Sequence, residues 1–307
     1  MSLVREPRKK GSASRAFYGE RKVITKEDRQ DAARFADIVL LGYQLPSRKH
    51  ALPLANALSR NKFVRHVEIR DSNLTSMALQ AIAISLADAP HLTYINLSAN
   101  NLDRGLKDGT GDDGSVSFAQ DLNGVTSLAE VVSVQRLVCY LNLSKNGLDW
   151  NTAKILSEHV IEHPALEEID LSLNKLSSKG AVYLSKLIKG NSHLRRLHLG
   201  SNNIGSLGLD LLCRALRVNK GLVELDLRNN NLDDDSIRTL TDTLRIGARG
   251  LIKLNLSYNR IGPEGAVALS FALKTKNLTL RHLSLDFNPL TAGGTNYTGL
   301  LALGSLM

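Results

Sequence analysis

One frame, LxxLxLxxNxL, recurs along almost the whole chain and limits what it can fold into. The stretch Leu222 to Leu232, LVELDLRNNNL, is its clearest copy. Further copies begin at Leu92, Val138, Leu166, Leu194, Leu251 and Leu280, and two degenerate ones at Phe35 and Val64. From Phe35 onward the intervals are 29, 28, 46, 28, 28, 28, 29 and 29 residues. A period held this steadily marks stacked structural repeats, not an accident of composition.

The frame has a direct physical reading. Leu225 and Leu227 are two residues apart and share one face of a short strand. Leu222 and Leu232 extend the same apolar layer. Asn230 sits where the chain leaves the strand, and an inward amide there can bond backbone groups that have lost their ladder partners. Asn100, Asn146, Asn174, Asn202, Asn259 and Asn288 occupy the same position, whereas Tyr43 and Ser72 replace it early on, which predicts looser turns there. The rest of each unit has helical spacing. Leu184, Leu187 and Ile188 form one apolar face, as do Leu209, Leu212 and Leu216, and in the eighth unit Ala266, Leu269, Phe271 and Leu273 are expected to do so after the turn glycines Gly262 and Gly265. Each unit is strand–turn–helix and cannot bury its apolar side alone, so stacking must make the core continuous.

In this frame the chain resembles the ribonuclease-inhibitor-like class of leucine-rich repeats, from Phe35 to Met307. The resemblance implies an α/β horseshoe solenoid, with parallel strands on the concave face and helices on the convex face. It leaves function open, because the class includes inhibitors, Ran GTPase-activating proteins, NOD-like sensors and subunits of ciliary axonemes. The expected organisation is a basic N-terminal tail and capping helix over 1–34, then a domain of nine repeats over 35–307 with an insertion near 104–121.

Composition narrows the chemistry. The 307 residues are 43% apolar but only 5% aromatic, so the core should be aliphatic. Two cysteines exclude a disulfide framework or a four-cysteine zinc site, and the chain reads as reduced and intracellular. No apolar run approaches the ~18 residues of a membrane span, and MSLVREPRKKGSASR lacks a signal-peptide core. No cofactor or catalytic constellation is expected. His159 and His163 have a metal-compatible spacing without the HExxH glutamate, and read as solvated convex-face residues. His66, His198 and His282 fall on concave strands three or four repeats apart, too distant to share a metal. Cys139 and Cys213 read as buried or incidental thiols.

The 46-residue interval holds 18 extra residues, Arg104 to Asp121, rich in Gly, Ser and Asp; they read as a rim loop that either binds a partner or is a solvated insertion. Asp108, Asp112 and Asp113 suggest calcium, but Asp113 stands where an EF-hand loop needs glycine and Ala119 where it needs glutamate.

Net charge is +9, and residues 1–34 carry +5 of it. That segment reads as a plain tail, as an arm for an acidic surface such as tubulin, nucleic acid or anionic lipid, or as a presequence that Pro7 and Gly11 spoil. From Thr25, TKEDRQDAARF reads as a capping helix. The strand positions predicted to face the concave side carry eight Lys or Arg and nine Asp or Glu, so they form no basic track for nucleic acid. Setting aside the tail's +5, the concave −1 and the insertion's −2 leaves +7 on helices and turns.

The predicted partner-binding residues lie on the concave face. Glu168 and Asp170 should face Arg196 and His198 on the next strand, with Arg228 one repeat further. Tyr94 and Tyr140 should be neighbours across the insertion, and Tyr258 and Phe287 near the C-terminal end. Rings and arginines on a polar sheet suit a protein interface. The expected function is a non-enzymatic protein–protein interaction scaffold of a large intracellular assembly, in the cytoplasm or cytoskeleton and with a ciliary or flagellar axoneme as its setting. The alternative is a Ran-type GTPase-activating protein, whose acidic C-terminal tail has no counterpart here. The last unit ends in the apolar TGLLALGSLM, which a partner is expected to cover.

Overall fold

The computed structural model describes residues 14–18, 36–110, 116–275 and 279–306. The repeat strands are short because only the residues around each Leu-x-Leu stay in the ladder before the Asn turn. They are β2 (Asp37–Leu41), β3 (His66–Arg70), β4 (Tyr94–Asn96), β7 (Tyr140–Asn142), β8 (Glu168–Asp170), β9 (Arg196–His198), β10 (Glu224–Asp226), β11 (Lys253–Asn255) and β12 (His282–Ser284). All pair in parallel in this order, and β4 joins β7 directly, so the insertion does not interrupt the sheet.

The helices follow as α1 (Arg48–Ser59), α2 (Ser76–Leu86), α3 (Asn123–Val134), α4 (Trp150–Val160), α5 (Ser177–Gly190), α6 (Gly205–Leu216), α7 (Asp234–Ile246), α8 (Pro263–Thr275) and α9 (Thr298–Gly304). Each packs on the next. This is a leucine-rich-repeat horseshoe. Its core is one aliphatic layer, with Ile95, Leu141, Ile169, Leu197, Leu225 and Leu254 all at most 2% exposed and Tyr43 the one aromatic in it among the described residues.

The asparagine positions act as the frame demands. Asn174 Nδ2 donates to the carbonyls of Leu171, Ser172 and, one repeat back, Leu143, while its Oδ1 accepts from the backbone N–H of Asn146 and Leu148. Asn100, Asn146, Asn202, Asn230, Asn259 and Asn288 repeat the donor side of this pattern. Where the amide is missing the turns are not looser in packing. Ser72 is fully buried and its hydroxyl accepts from the Tyr43 N–H at 3.2 Å and donates to the Arg70 carbonyl at 2.8 Å. A hydroxyl fills both roles once, so fewer bonds result but the site stays closed.

Four expectations need correction. The repeat strands number nine, but the sheet has ten, because β1 (Ser14–Tyr18) from the basic segment pairs in parallel with all five residues of β2. It supplies ladder partners for the otherwise open β2 edge. The proposed capping helix from Thr25 to Phe35 lies outside the described residues. The insertion is not an irregular loop: β5 (Arg104–Thr110) and β6 (Val116–Gln120) form an antiparallel hairpin with register shifts. The alternation in VSFAQ suits a strand. The Asp121 N–H donates to the Asp103 carbonyl at 3.1 Å at its base.

Third, Phe271 does not join the α8 core face; it is 58% exposed beside Arg245, whose guanidinium lies 5.6 Å from the ring centre. Ala266 and Leu269 with Ser270 set the buried side, and Phe271 lies one 100° step off it. Fourth, His163 is not solvated but 3% exposed. At the C-terminal end, Leu280, Leu283, Leu285 and Leu290 are only partly buried, and Leu300 and Leu301 of α9 are exposed.

Candidate functional site

Parallel pairing in register places equivalent positions of neighbouring repeats side by side, so the concave face is a set of cross-strand rows. The predicted residues fall into three groups along it. The first is aromatic. Tyr94 and Tyr140 are register partners and stack at 4.2 Å between ring centres, with planes 2° apart. His66 extends the row, tilted against Tyr94 at 4.0 Å. The hydroxyls are tethered by amides two residues on: Asn142 Nδ2 donates to Tyr140 Oη at 3.1 Å and Asn96 Nδ2 to Tyr94 Oη at 3.4 Å. Burial pushes the Tyr140 phenol well above its ordinary range. Because each ring covers its neighbour, both are half-buried, more than the sequence suggested.

The second group is ionic. Glu168 pairs in register with Arg196, and its carboxylate accepts from Arg196 Nε. That bond holds the guanidinium more firmly protonated than usual. His198 Nε2 lies 3.5 Å from the other Glu168 oxygen, so one carboxylate engages both basic neighbours. Asp170 is the register partner of His198 but spends Oδ1 on the Ser172 N–H at 2.8 Å. Arg228 Nε lies 3.4 Å from Asp226, which burial pushes above the ordinary carboxyl range. Arg228 can lie flat because Gly200 leaves the space: a Cβ there would meet its Cγ at 2.8 Å.

The third group, Tyr258 and Phe287, lies at the far end and stacks at 4.3 Å. Both occupy the residue before the ladder asparagine, where the backbone is left-handed in seven repeats: Ala99, Lys145, Leu173, Ser201, Asn229, Tyr258 and Phe287 have φ of 51 to 59°. Bulky rings are poorly suited to that backbone, yet Phe287 is 74% and Tyr258 53% exposed.

The Leucine Rich repeat family model matches residues 163–185, 190–213, 218–240 and 248–270, one match in each of four successive repeats. These four repeats match that family, and the fold is a leucine-rich-repeat solenoid. A solved structure of the Leiomodin-1 Actin-Binding Site 2 (ABS2) is similar to it at 17% sequence identity and a TM-score of 0.36, over 59% of this chain and 87% of that one. No curated protein matches it by sequence.

Among the described residues no three His, Cys, Asp or Glu converge on a metal position, and no helix is long and apolar enough to cross a membrane. Cys213 is buried, which pushes its thiol up to about 12, away from the reactive thiolate. Cys139 is half-buried, with its thiol also raised by burial and then by Glu167.

The sequence reading missed a second ladder, three residues before the first Leu of each frame. Asn191 Oδ1 accepts from the N–H of His193 and Leu194, and Asn219 Oδ1 from Gly221 and Leu222; their amides reach back to the Val160 and Ile188 carbonyls. Gln135 donates to Leu86 and Ala87 from the same position. His163 does this job in its repeat: Nδ1 accepts from the Ala165 and Leu166 N–H, and Nε2 faces the Gln135 carbonyl at 3.2 Å. Burial holds this imidazole below its ordinary range. The signal was present as Asn61, Asn191, Asn219 and Asn277 at one offset, broken up by Gln135, His163 and two alanines.

Proposed function

We propose that this leucine-rich-repeat protein is a non-enzymatic interaction scaffold that binds a partner protein across its concave face. The observation that carries the reading is the set of stacked rings on an otherwise polar sheet. Tyr258 and Phe287 are exposed on a backbone that disfavours them, and stability alone would not select them. The His66–Tyr94–Tyr140 row offers a rigid, partly dry platform of the kind that anchors interfaces. Between these two ends, the Glu168–Arg196–His198 cluster supplies both signs of charge for register and specificity.

A rigid curved platform suits a subunit of a large intracellular assembly, and we propose a ciliary or flagellar axoneme as its setting. Supporting this are the resemblance to the ribonuclease-inhibitor-like class, which includes axonemal subunits, and the +5 charge of residues 1–34, suited to acidic tubulin. The test is crosslinking mass spectrometry of the native extract. Crosslinks from lysines bordering the concave face, such as Lys253, to one stoichiometric partner are expected. Recovery of crosslinks only within the chain sinks the scaffold reading.

A further inference from the structure

Charge is not spread evenly around the repeats. All helices run the same way, so their C-termini and the turns into the strands line a single rim. On that rim, residues 187–195, 213–223, 243–252, 272–275 and 279–281 carry nine Lys or Arg and no Asp or Glu. The preceding repeat is the reverse: residues 157–167 carry Glu158, Glu162 and Glu167 and no Lys or Arg. The basic tract therefore begins sharply at α5 and continues through four repeats.

Cations at helix C-termini complement the helix dipole, but that effect fades within the last turn. Arg195, Lys220, Arg249 and Arg281 stand beyond the helices, on the turns themselves. With Lys189 and Lys274 they are exposed, and among the described residues none of the six lies within 4.0 Å of a carboxylate. Arg214 and Arg245, by contrast, are neutralised by Asp210 and Asp242. Lys189, Arg195 and Lys220 line a groove of about 510 Å³ between neighbouring repeats, floored by Asn191, Asn219 and Gly221. Arg195 is oriented there by donating to the Gly221 carbonyl at 3.0 Å.

We infer that this rim, anchored at the Lys189–Arg195–Lys220 groove, docks an extended acidic polypeptide segment. Charge complementarity names the sign of the ligand. The geometry names its class: neighbouring repeats are about 5 Å apart at the strands and about 10 Å at the helices, a range that brackets the ~7 Å between alternate side chains of an extended chain. No Phe, Tyr or Trp occurs in the basic segments, and the exposed ring beside them, Phe271, already lies against Arg245, so single-stranded nucleic acid finds no row of rings to stack on. The glutamates of the preceding repeat set one end of the docked segment by repulsion. The inference rests on the scaffold reading but concerns a different surface from the concave rings.

The test is fluorescence anisotropy with a labelled oligoglutamate peptide and, in parallel, a labelled oligothymidylate of matched charge. The proteins are the full chain, a Lys189→Glu/Arg195→Glu/Lys220→Glu variant, and a Lys145→Glu/Lys154→Glu/Lys175→Glu variant, which has the same net charge but altered sites off this rim. Circular dichroism confirms that each is folded. Oligoglutamate should bind the full chain with salt-sensitive affinity, weaken about tenfold or more in the rim variant and change by less than about twofold in the control. Equal losses in both variants, or oligothymidylate binding more tightly than oligoglutamate, overturn the inference. Neither outcome touches the concave reading, which stands or falls on the crosslinks to its own face.

Discussion

Replacing Asn174 with alanine tests whether the buried amide ladder holds successive repeats together. Asn174 makes five hydrogen bonds, all to backbone, at 2.9 to 3.3 Å. Their loss is not uniform. The Leu143 carbonyl still accepts from Asn146, and the Leu171 carbonyl from Asn202. The N–H groups of Asn146 and Leu148 have no such reserve, and both lie in a closed turn. Two buried donors without partners cost about 1–3 kcal/mol each, so Asn174→Ala should lose about 2–6 kcal/mol. Urea unfolding followed by circular dichroism measures the loss, and amide hydrogen exchange localises it to Asn146 and Leu148. A loss below about 1 kcal/mol, with both amides still protected, would refute the reasoning, because it would mean that water or a shifted backbone replaces the side chain without penalty.

Stability should fall as pH drops below about 6.5, because the unfolded chain then binds a proton that His163 resists when folded; His163→Asn should flatten the melting temperature against pH, since Asn191 and Asn219 already do the same work. A steeper profile in the variant would contradict this. Tyr94→Ala/Tyr140→Ala should raise the off-rate of the concave partner and leave the salt slope unchanged, as surface plasmon resonance with the crosslinked partner would show; a changed salt slope with the same off-rate would count against a ring-based contact. Removing residues 1–13 should leave the melting temperature intact, whereas removing 1–18 should lower it and promote self-association by exposing the β2 edge; identical behaviour would dismiss β1 as a stabilising strand. Purified protein should not stimulate Ran GTP hydrolysis, and an acceleration above about 10²-fold would restore the GTPase-activating alternative.

What the sequence revealed and what it hid follow from how far each interaction reaches along the chain. The Leu225–Leu227 and Leu184–Leu187–Ile188 patterns are local and strongly periodic, so strand, helix and core could be read directly. The register pairs Tyr94–Tyr140 and Glu168–Arg196 were also legible, because a constant repeat turns a distance of 28 or 46 residues into a nearest neighbour. His163 was misread because its solvation depends on the turns of two adjacent repeats, and a lone histidine carries no periodic signal. Phe271 was misread because Phe is the residue whose burial is most readily assumed, although its helical phase pointed outward. β1 was hidden because SRAFY lies outside the frame, and only the exposed edge of β2 gives it a place.

The rim charge shows the same logic at a larger scale. A cation at 195 and another at 220 are unremarkable in sequence. Stacking converts them into one surface, since every helix-to-strand turn must lie on the same side of a right-handed solenoid. The concave face then nets close to neutral while its neighbouring rim is uniformly basic over four repeats. A single rigid fold thus presents two separable surfaces, one set by rings and paired ions and one by unpaired charge. Salt is the variable that separates them: contacts made by the rim weaken as screening shortens to ~8 Å at physiological ionic strength, whereas stacked rings hold.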